Sequence, residues 1–431
     1  MCLAVFFFFA GAGGCALGAG DPFEAYVKAP DDAYGFRLEK EETLGGGVSA
    51  YVLALTSQTW KGITWKHALT VLRPKEVAHP GHALLFISGG SNRDLPPRRP
   101  SSESPALARI AGETGTVVAA LHQVPNQPLF DGLSEDALIA YTFEKYFETK
   151  DPTWPCLLPM TKSAVRAMDA VQSFARASFG EEIRHFVVTG ASKRGWTTWL
   201  TGASDPRVVA IAPMVIDVIN VEEQLPHQKK SFGGYSEMIH DYTDRGLPDR
   251  LADPTGRALL ELVDPYRRKD KLAMPKLVVL GTLDPYWPVD AAKLYFGALD
   301  GEKFLHYVPN VGHDAWPSAA PSVAAFYHLV VAGKPRPRFR WTSQRADGGA
   351  TLRIEAEDKP DRVELWRAAS ATRDFRKATW RSSPLRAEGG RYSASIARPE
   401  AGFVAFFARL SYRSELGVDF LLATNVEVLG D

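Results

Sequence analysis

Ser192, Asp284 and His313 carry side chains that could combine into one catalytic unit, and each shortly follows an apolar run. A serine hydroxyl is a poor nucleophile at neutral pH and needs an adjacent base to take its proton. A histidine can be that base, and a carboxylate can fix the histidine tautomer and stabilise the imidazolium. The residue types therefore predict nucleophilic catalysis by Ser192, with His313 as the base and Asp284 as the orienting acid.

The sequence around Ser192 is that of a strand that turns sharply into a helix. The apolar run 186–188 leads into Gly190, two residues before the serine. Such a turn exposes the hydroxyl and needs small neighbours, because the strand and the helix pass close together. The glycine that is usual two places after the serine is replaced by Arg194, and Gly195 comes one place later. By itself, this string is also typical of an ordinary tight turn.

Asp284 and His313 both lie just beyond predicted strands. The runs 276–280 and 304–308 are short and mostly apolar, which favours buried parallel strands. The chain order serine, aspartate, histidine is that of the α/β hydrolases and differs from the orders in the chymotrypsin and subtilisin folds. Asp290 is a rival acid, but it precedes a helical pattern and is predicted to be the N-cap of that helix.

Two backbone N–H groups are expected to bind the negatively charged oxygen of the reaction intermediate. One belongs to Lys193, directly after the nucleophile, and the other to the loop after the third strand. That strand is 84–87 in this chain, and Gly89 and Gly90 follow it. Glycines let a backbone approach a substrate carbonyl closely, although a plain Gly-Gly turn explains the pair equally well. The Lys193 side chain could add a positive charge there or point into solvent.

The strand and helix patterns predict an α/β protein in which residues 21–333 form an α/β-hydrolase domain. An antiparallel pair at 48–56 and 65–72 precedes strands that alternate with helices, which implies a mostly parallel, doubly wound sheet. Residues 214–275 interrupt this alternation just before the strand of the acid. Long ordered insertions at this face are usually lids or substrate surfaces, so we expect this one to cover the active site.

Five residues of the turn and the insertion are candidates for substrate binding. An esterase for acidic sugars would use Arg194, whereas a peptidase that takes a free N-terminus needs carboxylates such as Glu222 and Glu223. An exposed charged pair explains these two glutamates equally well. Tyr235 and His240 are polar residues of the same insertion. No spacing there matches a known metal site, so neither a metal nor another cofactor is predicted.

A stiff linker at 334–337 marks a change from helical to alternating patterns. Short strands joined by Gly- and Ser-rich turns predict a small β-sandwich of the immunoglobulin or fibronectin type at 338–431. Four of its aromatic residues could form a carbohydrate platform, or else the core of the sandwich and its seam with the hydrolase domain: Trp366, Trp380, Phe406 and Phe407.

The N-terminal segment 1–20 has no charged side chain and combines an apolar core with a following run of small residues. This pattern is typical of a signal peptide, so we expect an exported protein, either periplasmic or extracellular. The residues before Cys15 loosely resemble a lipoprotein processing site, which leaves a lipid anchor open.

The charge balance excludes some partners. The 50 Lys and Arg residues offset the 50 Asp and Glu residues, which argues against a nucleic-acid partner or a polybasic membrane contact. No internal apolar run approaches the length of a transmembrane helix. The expected partner is therefore a small-molecule, peptide or carbohydrate-ester substrate.

With these residues assembled, the chain resembles the PhoPQ-activated pathogenicity-related family, which includes the autocrine proliferation repressor-like proteins. The resemblance rests on Trp380 and on the strings at 121–128, 154–155, 158–162, 190–196, 284–290 and 373–376. It implies a secreted protein of α/β-hydrolase fold, with relatives linked to dipeptidyl-peptidase-like activity, signalling or virulence. The spacing of the turn, with a basic residue directly after the serine, is also similar to that of glucuronoyl esterases.

Two functions are compatible with these patterns. The first is a secreted serine hydrolase that cleaves an ester or a peptide bond. The second is a non-catalytic binding or signalling protein on a hydrolase scaffold, because a fold does not imply a function and Arg194 could distort the turn. The distance between the Ser192 hydroxyl and the His313 ring separates the two.

Overall fold

The computed structural model describes residues 20–96 and 103–430 of the 431-residue chain. The segment predicted to be a signal peptide, with Cys15, lies outside these residues apart from Gly20. Among the described residues, no helix combines the length and the apolar character needed to cross a bilayer.

Within the described residues, nine strands build the sheet of the hydrolase domain. They are β1 (Gly35–Leu44), β2 (Val48–Trp60), β3 (Ile63–Pro74), β4 (His82–Ile87), β5 (Val117–Leu121), β6 (His185–Ala191), β7 (Val208–Met214), β8 (Lys276–Gly281) and β9 (Lys303–Val308). Their order in the sheet is β1-β2-β3-β5-β4-β6-β7-β8-β9. The pairs from β1 to β5 are antiparallel, and those from β5 through β4 to β9 are parallel. The predicted mostly parallel sheet is confirmed.

Helices cover both faces of this sheet. The α-helices of the described residues are α1 (Pro22–Lys28), α2 (Ser104–Thr114), α3 (Glu135–Thr149), α4 (Leu157–Phe179), α5 (Lys193–Ser204), α6 (Val221–Phe232), α7 (His240–Thr243), α8 (Leu247–Arg250), α9 (Pro254–Val263) and α10 (Trp316–Val331). α2 and α10 pack on one face, and α4 and α5 on the other. Every residue of β5 and β8 is therefore buried, which is why these strands are continuous apolar runs.

The predicted insertion lies between β7 and β8 and contains the four helices α6 to α9. Local sequence signals mark two boundaries of these helices. α6 stops at Gly233, whose φ of 77° is the left-handed conformation that favours glycine. α9 starts after Asp253, whose side chain accepts the backbone N–H of Gly256 at 2.7 Å. The insertion follows the carboxyl end of β7, next to the turn that carries Ser192.

Eight strands form the C-terminal β-sandwich that the alternating patterns predict. They are β10 (Phe339–Ala346), β11 (Gly349–Ala356), β12 (Arg362–Ser370), β13 (Arg381–Pro384), β14 (Arg391–Ala397), β15 (Phe403–Arg413), β16 (Asp419–Ala423) and β17 (Glu427–Gly430). β10, β11 and β14 form a three-stranded antiparallel sheet, and the other five strands belong to the second sheet. The apolar side chains of the two sheets share one core.

The alternating pattern over 420–428 predicts one strand, but the structure has two. β16 ends at Ala423, β17 begins at Glu427, and the two strands pair with different stretches of β15. Between them, the backbone N–H of Ala408 donates to the Thr424 hydroxyl at 3.0 Å, so a side chain replaces a backbone acceptor and the ladder breaks. β10 and β13 were not predicted, because both are edge strands with few buried side chains and a weak apolar pattern.

The sandwich and the hydrolase domain share a continuous sheet, because β16 pairs with β9. The Phe407 ring packs between Tyr307 and Trp380, with centroid distances of 5.3 and 5.4 Å. Trp380, Phe406 and Phe407 are buried, and only Trp366 among the four candidate platform residues is partly exposed. A carbohydrate platform needs exposed rings, so these residues form the core and the seam instead.

We expect Phe407→Ala to lower the free energy of unfolding by about 3–5 kcal/mol, because it leaves a cavity at the seam. Since the sheet continues through the seam, the whole chain should still unfold in one transition at a lower denaturant concentration. Guanidinium denaturation, followed by tryptophan fluorescence and circular dichroism, measures both. The matched control is Leu38→Ala, whose side chain is 48% exposed and should change stability by less than about 0.5 kcal/mol. Two separate transitions would contradict a structural role for the seam.

Candidate active site

Ser192 lies in the sharp turn between β6 and α5. Its φ of 59° and ψ of −128° are strained for a residue with a side chain. A Cβ atom at Gly190 would lie 2.8 Å from the carbonyl oxygen of Arg194, and one at Gly195 would lie 2.6 Å from Ile216 Cγ2. The helix thus approaches β6 and the segment after β7 so closely that both glycines are required. This contact explains why a glycine follows the serine by three places rather than two.

His313 connects Ser192 to Asp284. Its Nε2 lies 2.8 Å from Ser192 Oγ, and its Nδ1 lies 2.8 Å from Asp284 Oδ2. With the proton on Nδ1, that N–H donates to the carboxylate and Nε2 accepts from the serine hydroxyl. The other oxygen of Asp284 accepts the backbone N–H of Tyr286 at 2.9 Å, and the Tyr286 ring lies 4.3 Å from the imidazole ring. The structure therefore brings the three predicted residues into one hydrogen-bonded chain.

Asp290, the rival acid, points away from His313. His227 Nε2 donates to its Oδ1 at 2.7 Å, and Arg373 donates to its Oδ2 at 2.5 Å. Burial would raise the pKa of Asp290, but the hydrogen bond from His227 and the charge of Arg373 hold it below its ordinary value. Asp290 occupies the predicted N-cap position, but of the 3₁₀ turn Ala291–Leu294, and its side chain makes no capping hydrogen bond there. Asp290 instead joins the lid to the C-terminal domain.

A second buried carboxyl, which sequence reasoning missed, interacts with Asp284. Asp217 follows β7, and the Tyr295 hydroxyl donates to it at 2.5 Å. Burial, together with the negative charges of Asp284 and Asp290, raises the pKa of Asp217 to about 7. The hydrogen bond from Tyr295 offsets part of this rise. No local pattern could have identified it, because its burial depends on elements that are distant in the sequence.

The backbone N–H of Lys193 lies at the first residue of α5, where it has no acceptor within the helix and where the helix dipole favours negative charge.

Gly89 and Gly90 pack against other residues. A Cβ atom at Gly89 would lie 2.5 Å from Arg194 Nη2, and the backbone N–H of Gln123 donates to the Gly89 carbonyl at 2.8 Å. Gly90 has a φ of 126°. These contacts account for both glycines, and their role in binding an oxyanion stays a prediction.

Arg194 is engaged within the protein. Its guanidinium donates two parallel hydrogen bonds to the Glu135 carboxylate, at 2.7 and 2.6 Å, and its Nε donates to the Val124 carbonyl at 2.5 Å. Burial would raise the pKa of Glu135, but the hydrogen bonds and charge of Arg194 hold it at about 2. These contacts engage three of the five N–H donors of the guanidinium. Arg194 thus joins α5 to the start of α3, and its role in substrate binding stays a prediction.

The other four predicted substrate-binding residues do not line the cavity beside the nucleophile. Glu222 forms an ion pair with Arg267, and Glu223 is exposed. The side chain of His240 is 64% exposed, and Tyr235 lies under the ammonium group of a neighbouring lysine. The structure therefore gives no support for substrate binding by these four residues. The sequence does not show which polar side chains of the insertion point toward the cavity.

A cavity of about 810 Å³, including its open mouth, lies beside Ser192 and under the lid. Asp136, Lys193, Tyr242 and Tyr286 form its polar end. Asp136 was not predicted, because α3 lies far from the turn in the sequence and only the fold brings the two together. The rest of the wall is apolar and includes Phe143, Trp196, Val221, Leu225, Leu259 and Trp287.

Asp217→Asn should change how stability depends on pH. The carboxyl has a pKa of about 7 in the folded state and an ordinary value of 3.8, so its contribution to stability is complete below about pH 3.8 and is lost as the pH rises through 7. Asparagine keeps an acceptor for the Tyr295 hydroxyl and does not ionise. The variant should therefore gain stability relative to the natural protein between about pH 4 and pH 8, as measured by urea denaturation. A stability difference that is independent of pH would contradict this.

Comparisons with known proteins agree with the fold. A family model described as PhoPQ-activated pathogenicity-related protein matches residues 23–376. The chain is 34% identical to autocrine proliferation repressor protein A from Dictyostelium discoideum, over 91% of this chain and 86% of that protein. It is also similar to the solved structure of an acetyl xylan esterase from Paenibacillus sp. R4, with a TM-score of 0.52 and 15% identity over 73% of this chain and 93% of the esterase. The chain thus has the α/β-hydrolase fold and belongs to the PhoPQ-activated pathogenicity-related protein family.

Proposed function

We propose that this protein is an exported serine hydrolase that cleaves an ester or a peptide bond. The observation that carries the proposal is the pair of 2.8 Å contacts from His313, one to Ser192 Oγ and one to Asp284 Oδ2. The likeness to an acetyl xylan esterase supports a hydrolase scaffold. Export is part of the proposal because the uncharged, apolar segment 1–20 is typical of a signal peptide.

The proposed mechanism passes through an acyl-enzyme. Ser192 attacks the substrate carbonyl while His313 Nε2 takes the hydroxyl proton, and Asp284 stabilises the imidazolium that forms. The backbone N–H of Lys193, at the start of α5, donates to the oxyanion. A second donor would come from the loop that contains Gly89 and Gly90. His313 then gives its proton to the leaving group, and a water molecule releases the acyl group by the same steps in reverse.

A second candidate function is a binding or signalling protein on the same scaffold, which the name of the Dictyostelium relative favours. The two functions differ in what Ser192 must do. In a binding protein, Ser192 would only contribute to the contact surface, whereas a hydrolase needs the Ser192 hydroxyl as a nucleophile. The strained backbone at Ser192 and the in-line hydrogen bonds of His313 support the hydrolase, because strain of this kind persists mainly at functional sites.

A fluorophosphonate probe should label Ser192 covalently, because the activated hydroxyl attacks phosphorus as it would attack an acyl carbon. Intact-protein and peptide mass spectrometry identify the adduct. Ser192→Ala is the control and should remain unlabelled while keeping its fold. Ser57, which is buried and hydrogen-bonded to His67 at 2.9 Å, provides an internal comparison and should not react. Folded protein that gives no adduct on Ser192 would remove the basis of the proposal.

Asp284→Asn should lower kcat by about 10⁴-fold with the fold intact, because the histidine tautomer is no longer held. Asp290→Asn should keep most of the activity and act mainly on stability, since its partners are His227 and Arg373 rather than His313. Esterase rates and thermal unfolding of both variants measure the two effects. If Asp290→Asn abolished turnover while Asp284→Asn preserved it, the acid would be assigned to the wrong residue.

A further inference from the structure

We infer that the cavity under the lid binds the acyl part of the substrate, and that this part is an uncharged apolar chain longer than acetyl. The inference rests on the proposed function and names its substrate class. Both Ser192 and His313 contribute to the wall of this cavity. A group held there is therefore within reach of the nucleophile.

The walls nearest the nucleophile indicate that the cavity belongs to the acyl group rather than to the leaving group. Trp196 lies one turn after Ser192 on α5, and Ile216 follows β7 against the same turn. Both line the cavity on the side of the serine. His313, which protonates the leaving group, also lines the cavity. We assign the cavity to the acyl group because Trp196 and Ile216 lie against the turn that holds Ser192.

The deeper wall is built from apolar residues of the lid. Val221 and Leu225 come from α6, and Leu259, Leu260 and Val263 come from α9. Leu259, Leu260 and Val263 are at most 2% exposed. A polar or charged group would lose its hydration there without gaining a hydrogen bond, whereas an alkyl chain gains from leaving water. Each methylene group that enters should improve binding by about fourfold.

The polar end of the cavity carries no free charge for a substrate. The Asp136 carboxylate forms an ion pair with Lys193 Nζ at 2.8 Å and accepts from the Tyr242 hydroxyl at 3.0 Å and from the Tyr286 hydroxyl at 3.4 Å. Its charge is therefore balanced by Lys193, and each of its two oxygens has a partner. The ammonium of Lys193 lies 2.8 Å from Asp136 and 3.5 Å from Glu135, so an acidic sugar would compete with two carboxylates for it.

A second pair of opposite charges joins α3 and α5. Glu135 of α3 binds Arg194 of α5 through two parallel hydrogen bonds, so these two charges also cancel. A peptidase that holds a free N-terminus needs an unpaired carboxylate near the nucleophile, and an esterase for acidic sugars needs an unpaired cation. Among the charged residues described around this cavity, both carboxylates and both cations have partners. The geometry therefore favours a neutral acyl chain over a dipeptide or a glucuronate.

The test is the dependence of kcat/KM on acyl chain length with a constant leaving group. p-Nitrophenyl hexanoate should exceed p-nitrophenyl acetate by about 10²-fold, because four more methylene groups enter the cavity. A glycyl-prolyl coumarin amide should be a much poorer substrate than the hexanoate. Equal rates for acetate and hexanoate, or faster cleavage of the amide, would overturn the inference while leaving a serine hydrolase in place.

Two substitutions on the same helix localise the effect. Leu225→Trp fills the cavity from α6 and should remove the preference for hexanoate over acetate. Lys230→Trp adds the same ring at an exposed position of α6 and should keep the preference. Loss of the preference in both variants, or in neither, would contradict the assignment of this cavity to the acyl chain.

A binding measurement keeps the inference testable if the protein proves inactive. In Ser192→Ala, which cannot turn over an ester, millimolar ethyl hexanoate should raise the unfolding temperature more than ethyl acetate does, because a ligand that binds only the folded state stabilises it. Leu225→Trp added to Ser192→Ala should abolish the difference. A cavity that discriminates chain length without labelling of Ser192 would refute the proposed function but not the site. Labelling without chain-length discrimination would refute the site alone.

Discussion

The packing of α5 against β6 and the segment after β7 is the constraint on which the site depends. A Cβ atom at Gly195 would lie 2.8 Å from the Met214 carbonyl oxygen and 2.6 Å from a methyl group of Ile216. Because glycine has no side chain, the helix can start directly after the strand, and this close approach holds Ser192 in its strained turn. The same contact directs the first N–H groups of α5 toward the nucleophile and brings Trp196 and Ile216 into the wall of the cavity.

The basic residues after the nucleophile organise a second layer around this turn. Lys193 binds Asp136 and Arg194 binds Glu135, so two consecutive cations of α5 pair with two consecutive carboxylates of α3. Glu135 is the first residue of α3 and has a φ of 53°, a conformation that is unfavourable for a residue with a side chain. The bidentate bond to Arg194 compensates for part of that cost. The charges cancel within the cluster, which leaves the cavity beside it suited to neutral groups.

The C-terminal domain takes part in this arrangement through the segment 373–376. Arg373 and the lid residue His227 bind the two oxygens of Asp290. Arg376 forms an ion pair with Glu237 of the lid at 2.8 Å. The lid is therefore held from both sides, by the strand ends of the hydrolase domain and by a loop of the sandwich. The ion pairs of segment 373–376 and the continuous sheet from β9 to β16 thus join the two domains.

Much of the fold could be predicted from the sequence, because its signals are local. The apolar runs mark the parallel strands, the change to alternation after 334–337 marks the sandwich, and the glycines around Ser192 mark the turn. The relation between Ser192, Asp284 and His313 was also predictable, since parallel strands place their carboxyl ends at one edge of the sheet. These predictions needed only the order of elements along the chain and the types of residue at their ends.

The partners of the polar side chains were decided by the tertiary structure alone. Nothing near Arg194 in the sequence indicates that Glu135, on another helix, neutralises it. Nothing near Asp217 indicates that burial raises the pKa of this carboxyl to about 7. The lid residues Glu222 and His240 looked suitable for substrate binding but face away from the cavity. The physical reason is that ion pairing, burial and the inward face of a short helix depend on three-dimensional neighbours. The sequence by itself determined the chemical groups and the strand ends that carry them, and the packing of distant elements decided which of those groups meet.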